Sequence, residues 1–208
     1  MTGWTLVVPV KRVHLAKTRL DDDPAVRSRL ALAFARDTLR AVLATASVDR
    51  VVLVTSEPEV AGLAADPRIT LVADPGGGLN AALVAGIGAT GGVGPVALLA
   101  SDLPQLDPLE LDAVLVAALA HPLAVVPDLE GTGTTLLAAL AAAGLVPRFG
   151  AGSRDAHEAA GHHVLEAGPT VRRDVDTAAD LRAAARLGVG PATARVLAPR
   201  PVLCRLGR

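Results

Sequence analysis

The chain of 208 residues has no tyrosine, one tryptophan and two phenylalanines, and its formal net charge is −1. It therefore has neither the aromatic platform on which single strands stack nor the positive field that gathers phosphate backbones, and no nucleic-acid partner is expected. A single cysteine, Cys204, excludes an intrachain disulfide and suits a reducing cytoplasm. No apolar run approaches the roughly 20 residues that cross a bilayer, and no basic stretch followed by an apolar one opens the sequence. A cytoplasmic protein with no membrane partner is the expectation. The nucleophile elbow of serine hydrolases, the zinc-protease helix motif, the P-loop and a dinucleotide-binding glycine motif after a strand are all missing, so those four enzyme classes lose their signatures. The five histidines show no shared metal-ligand spacing and are expected at the surface or in loops. Lysine is the scarcest cation: of twenty basic residues only Lys11 and Lys17 are not arginine.

Those two lysines mark the stretch around which the chain is organised. Thr5 to Val10 reads as a short buried β-branched strand, and Pro9 interrupts its ladder because proline has no N–H to donate. Lys11, Arg12, Lys17 and Arg19 follow within nine residues. Open α/β sheets bind ligands just beyond such strand ends, and two compact ammonium charges there suit phosphate oxygens. A solvated basic loop is the plainer alternative.

At this length one domain is favoured, able to bury about 70% of its unfolded surface. Asp21-Asp22-Asp23-Pro24 signals the start of a long amphipathic helix over roughly 25–45. Continuous apolar runs at 51–55, 69–73, 96–100 and 123–127 read as parallel strands covered on both faces. Helical stretches at 58–65, 79–88 and 108–120 alternate with them. Without a linker-like break, the pattern predicts a single three-layer, doubly wound α/β domain with a mostly parallel sheet, its core at about 5–187 and a tail at 188–208 without clear pattern. The 136–145 stretch is too alanine-rich to assign; a helix over 154–161, a strand over 163–166 and a last helix through about Leu187 complete the reading. Gly76-Gly77-Gly78 lets backbone approach a ligand closely, with Asn80 just inside the following helix. A flexible turn would read the same way.

Three carboxylates stand out. Asp102 sits in Ser101-Asp102-Leu103-Pro104 at the exit of a core strand, and Asp174 and Asp176 precede the last helix. Magnesium needs one or two protein carboxylates, phosphate oxygens and water completing its octahedron. Asp102 could equally cap the helix after Pro104, and Asp176 with Thr177 could cap the last one.

Taken together, Val8-Pro9-Val10-Lys11 with Ala16-Lys17-Thr18-Arg19-Leu20, Ser101-Asp102-Leu103-Pro104, Gly131-Thr132-Gly133-Thr134, Arg148-Phe149-Gly150 with Ser153, and Asp174-Val175-Asp176-Thr177 resemble the phospholactate/phosphoenolpyruvate guanylyltransferases of coenzyme F-420 biosynthesis. Five motifs in order, spanning about 6–187, carry the resemblance, with Thr18 standing where serine is more usual. The glycine-rich opening loop of the wider nucleoside-diphosphosugar transferases is replaced by Pro9-Val10-Lys11, which favours this branch. The resemblance implies a nucleotidyltransferase (GT-A-like) fold and transfer of GMP from GTP to a small phosphorylated carboxylic acid, with release of pyrophosphate. It implies that Thr134, Gly150 and Ser153 hold the acceptor, and that Asp102 with Asp174 or Asp176 holds Mg2+. A homodimer and hand-over to a downstream transferase of the same pathway are compatible with it.

The residues fit that chemistry. A phosphate monoester is mostly dianionic near neutrality, so it needs no general base to attack the α-phosphorus, and no catalytic histidine is expected. Lys11, Lys17 and Asp102 are the expected catalytic groups. Pro9, Val10, Lys11, Lys17, Arg19, Gly78 and Asn80 are the expected nucleotide contacts. Two rivals differ in product: a glycosyltransferase using Asp174-Val175-Asp176 as its DxD motif would release a nucleoside diphosphate, and a non-catalytic nucleotide sensor would turn nothing over. Phosphoenolpyruvate, 2-phospholactate and 3-phosphoglycerate each present a phosphate beside a carboxylate. The Ala- and Arg-rich composition, typical of an actinobacterium-like GC-rich source, tilts the choice to phosphoenolpyruvate.

Overall fold

A computed structural model describes residues 3–10, 20 and 23–198. Lys11, Lys17 and Arg19, the expected phosphate-binding cations, lie outside the described residues.

Strand β1 (Trp4–Val10) is buried along its whole length and lies near the middle of the sheet. With β2 (Val48–Thr55), β3 (Ile69–Val72), β4 (Val96–Leu99), β5 (Leu123–Pro127), β6 (Thr134–Ala139) and β7 (His163–Val164) it forms one seven-stranded sheet in the order β3-β2-β1-β4-β6-β5-β7. All pairings are parallel except those of β6, which runs antiparallel to both β4 and β5. Alternation along β1 sends Leu6, Val8 and Val10 to one apolar cluster and Val7 to another, as the two-residue period of a strand requires. The first cluster is covered by helices α1 (Pro24–Ala44), α2 (Pro58–Ala61) and α4 (Pro108–Ala118). The second is covered by α3 (Leu79–Gly88) and the 142–149 stretch, which includes a 3-10 turn at Ala142–Gly144. Gly86 lets α3 press on the sheet, since a Cβ there would collide with methyls of Val7 and Val54.

Several segments differ from the sequence reading: α2 and β7 are shorter than expected, a short helix occupies Pro169–Arg172, and two larger differences bear on the site. The unassigned 136–145 run supplies the last four residues of β6, because a slot between β4 and β5 buries Leu136, Leu137, Ala138 and Ala139 almost completely and overrides alanine's poor strand preference. The patternless tail contains a helix, α8 (Pro191–Leu197), packed on α1. It is held from a distance: the buried Asp37 carboxylate of α1 accepts N–H bonds from Ala192 (2.9 Å) and Thr193 (2.7 Å). The remaining helices are α5 (Ser153–Ala159), α6 (Pro169–Arg172) and α7 (Ala178–Leu187). No described helix is long and apolar enough to cross a membrane.

Candidate active site

The strand order fixes where a ligand can sit. From β1 the chain moves outward to β2 and β3, then returns to place β4 on the other side of β1. The crevice beyond the carboxyl ends of β1 and β4 is thus a topological switch point, the usual binding place in open α/β sheets. A cleft of about 710 Å³ opens there, bounded by Pro9 and Val10 from β1 and by 99–102 from the end of β4. Because β6 runs backwards, its first residue, Thr134, arrives at the same edge, and 149–153 closes the far side.

One wall is acidic. Asp102, Asp174 and Asp176 all line the cleft. Asp107 caps α4, accepting from the Leu109 N–H at 2.8 Å, and Thr177, the second residue of the expected Asp176-Thr177 cap, caps α7 in a reciprocal box with Asp180. The Asp102 turn is pinned by Thr38, a buried residue of α1, whose hydroxyl donates to the Ser101 carbonyl (3.2 Å) and accepts from the Leu103 N–H (3.1 Å). The two acidic segments are stitched together on either side of Asp174. The Val175 N–H donates to the Asp102 carbonyl (3.1 Å), and the buried Gln105 amide donates to the Arg173 carbonyl (2.7 Å). Among the described residues no three His, Cys, Asp or Glu side chains form a metal cage.

The 128–134 and 149–153 segments add hydroxyls, backbone and a further carboxylate, Asp128. The Ser153 hydroxyl donates to Thr134 Oγ1 at 3.0 Å, and that oxygen also lies 3.0 Å from His157 Nδ1. Gly150 borders the cleft with φ of 136°, a conformation costly for any residue with a Cβ. Beside them Asp128 shapes the 128–133 turn, its carboxylate accepting from the Thr132 and Gly133 N–H groups at 2.9 and 2.8 Å. The Arg172 guanidinium grips the Asp128 carbonyl at 2.8 Å from below.

Of the expected contacts, Pro9, Val10, Asp102, Thr134, Gly150, Ser153, Asp174 and Asp176 meet in this one cleft. Gly78 and Asn80 do not line it. Gly78 caps α3 with φ of 96°, and the Asn80 amide is turned to the backbone of Phe149, which does border the cleft. The expectation that the histidines sit at the surface or in loops fails for His157, which is buried within α5, whereas His162 lies in the connection before β7, though buried. Burial pushes the His157 ring down to about 4, with His162 and Arg148 adding repulsion. Thr38, Asp128 and His157 are site-building residues that the sequence reading passed over. An Asp followed by Gly131 and Gly133 is a local turn signal that could have revealed Asp128; nothing local marks the other two.

The fold is that of the GT-A-like nucleotidyltransferases. Residues 31–172 match the model of the MobA-like NTP transferase domain. The backbone superimposes on a nucleotidyl transferase from Methanothermobacter (TM-score 0.64, 18% identity, 90% of this chain and 98% of that one). It also superimposes on a nucleotide-diphospho-sugar transferase from Desulfovibrio desulfuricans (0.63, 19%, 90% and 97%). In sequence the chain is 50% identical to the phosphoenolpyruvate guanylyltransferase of Streptomyces coelicolor, covering 94% of this chain and 96% of that one. It is likewise 50% identical to that of Geodermatophilus obscurus, with 96% and 97% covered. The chain belongs to the phosphoenolpyruvate guanylyltransferase family.

Proposed function

We propose that this enzyme transfers GMP from GTP to the phosphate of phosphoenolpyruvate, releasing pyrophosphate, as a step in coenzyme F-420 biosynthesis. The observation that carries the reading is the cleft at the switch point, where the carboxylates of Asp102, Asp174 and Asp176 meet the hydroxyls of Thr134 and Ser153; the relatives' names supply the acceptor. A phosphate oxygen of the acceptor attacks the α-phosphorus of GTP, the bond from that phosphorus to the bridging oxygen of the β-phosphate breaks, and pyrophosphate leaves. The dianionic acceptor phosphate has no proton to remove, so the step needs no general base.

The acidic wall fits a hard divalent cation: Asp102 with Asp174 or Asp176 offers carboxylate oxygens, the donor type magnesium prefers, and leaves room for phosphate oxygens. Bound there, Mg2+ would neutralise phosphate charge as it builds in transfer. Thr38 and the Val175 N–H keep that wall in place without reorganisation. Thr134, Gly150 and Ser153 hold the acceptor, with Lys11, Lys17 and Arg19 at the triphosphate and Gly78 and Asn80 toward the nucleoside.

Release of pyrophosphate from GTP, measured separately with phosphoenolpyruvate, 2-phospholactate and 3-phosphoglycerate, tests the reading. Phosphoenolpyruvate should support the fastest release. Formation of GDP, or no turnover with any of the three acids, would overturn it.

A further inference from the structure

We propose that His157 is a positioning residue that commits one hydroxyl hydrogen of the Thr134–Ser153 pair to the acceptor anion. This rests on the reading that the pair holds the acceptor, and it adds a residue outside the cleft lining.

The argument is a count of hydrogens. The backbone N–H of Arg148 points at His157 Nε2 at 3.0 Å. An amide N–H can only donate, so Nε2 must be the unprotonated nitrogen. A neutral ring then carries its hydrogen on Nδ1, 3.0 Å from Thr134 Oγ1, and donates it there. The Ser153 hydroxyl donates to the same oxygen at 3.0 Å. Both lone pairs of Thr134 Oγ1 are thereby taken, and its own hydrogen must go elsewhere. His157 and Ser153 are almost wholly inaccessible, whereas Thr134 is half-buried and borders the cleft. The open direction is the cleft, and a hydrogen aimed there suits a carboxylate or phosphate oxygen, which can only accept.

The ring has little freedom to do otherwise. Phe149 meets it edge-on with centroids 5.5 Å apart, and His162 does the same from another side at 5.6 Å. His162 Nδ1 lies 3.0 Å from the His157 carbonyl. Burial keeps the ring neutral, and a second proton would set two N–H groups head to head at Arg148. The same histidine links two parts of the acceptor wall that are distant in sequence, the start of β6 and the 148–153 loop.

Steady-state kinetics of His157→Phe, His157→Asn and His157→Gln, beside Thr134→Val, test this. Asparagine can present an N–H near the Nδ1 position, whereas glutamine reaches the Nε2 position. The Phe variant should raise the KM for phosphoenolpyruvate about tenfold or more while the KM for GTP stays within about twofold, with Asn restoring more than Gln. Histidine side-chain nitrogen NMR of the wild-type protein should show His157 as the neutral Nδ1–H tautomer near pH 7. An Nε2–H tautomer or an imidazolium there would overturn the inference whatever the kinetics. So would a Phe variant with an unchanged acceptor KM while Thr134→Val raises it. If Thr134→Val itself leaves the acceptor KM unchanged, the acceptor placement fails rather than the tautomer.

Discussion

Asn80 and Phe149 exchange two hydrogen bonds across 69 residues of chain: the Asn80 side-chain N–H donates to the Phe149 carbonyl at 3.1 Å, and its oxygen accepts the Phe149 N–H at 2.8 Å. Asn80 stands in the first turn of α3, just after the glycine run expected to meet the nucleoside. Phe149 opens the loop expected to hold the acceptor. One side chain thus couples the two halves of the cleft. Asn80→Ala should loosen the acceptor loop and raise the KM for phosphoenolpyruvate by about tenfold, two neutral hydrogen bonds being worth roughly 1–3 kcal/mol together. Asn80→Asp keeps the acceptor and loses the donor, so it should fall between. A rise in the GTP KM alone would show that Asn80 serves the nucleotide directly.

Asp102→Asn should lower kcat at least about a hundredfold, since an amide is a poor ligand for a hard cation and metal stabilisation of phosphoryl charge is worth several kcal/mol. Its melting temperature should stay near wild type, because the backbone bonds of Asp102 survive the change. Asp174→Asn and Asp176→Asn, made separately, should differ, and titration of activity with Mg2+ will show which carboxylate sets the apparent metal affinity.

Lys11→Ala and Lys17→Ala should each weaken GTP binding by about tenfold, the loss of one charge-assisted contact. Arg36→Ala, on the exposed side of α1, is the control and should change little. Equal effects from all three would point to a diffuse field instead of a phosphate site.

Stability should fall in acid. His157 titrates in the unfolded chain near the ordinary value of 6.5 but only at about 4 when folded, so the unfolded state binds more protons between those limits. The stabilisation is full above about 6.5 and is lost as pH drops toward 4, on the order of 3 kcal/mol. Burial lowers His162 as well, which adds in the same direction, and repulsion from Arg148 lowers both rings further. Thermal melts from pH 7.5 to 4.5 should show His157→Asn with a flatter profile than wild type.

Much of this architecture is legible along the chain. Apolar runs ended by proline, glycine or aspartate mark β1, β2, β3, β4 and β5, and the acids after β4 and before α7 mark one wall of the cleft. What escapes such reading is set by partners far away. Strand β6 is a Leu/Ala segment that becomes extended only because a slot in the sheet awaits it. Helix α8 owes its anchoring to Asp37, more than 150 residues earlier. His157 has no local signature, since its meaning lies in Arg148, Thr134 and the burial that keeps it neutral. Sequence alone leaves Asp102 and Asp176 between cap and ligand, because only the folded chain shows Asp107 and Thr177 as the N-caps of α4 and α7.

Asp37→Ala should remove both anchors of α8 and cost about 1–3 kcal/mol, a drop of roughly 2–12 °C in Tm for a chain of this size. Asp37→Asn keeps one acceptor oxygen and should cost less.

Asp37 and Thr38 are neighbours on α1 that face different clients: one carboxylate receives the N-terminus of α8, while the next hydroxyl brackets the Asp102 turn, and the Gly190 N–H reaches the Pro104 carbonyl just beyond that turn at 2.8 Å. A single turn of helix therefore serves as a common footing for the last helix and for the acidic wall. Cutting the chain before Pro191 would strand a buried carboxylate one residue from the hydroxyl that sets the height of Asp102. A deletion that looks peripheral would then be felt as a fault in alignment, with kcat lost sooner than either substrate's binding.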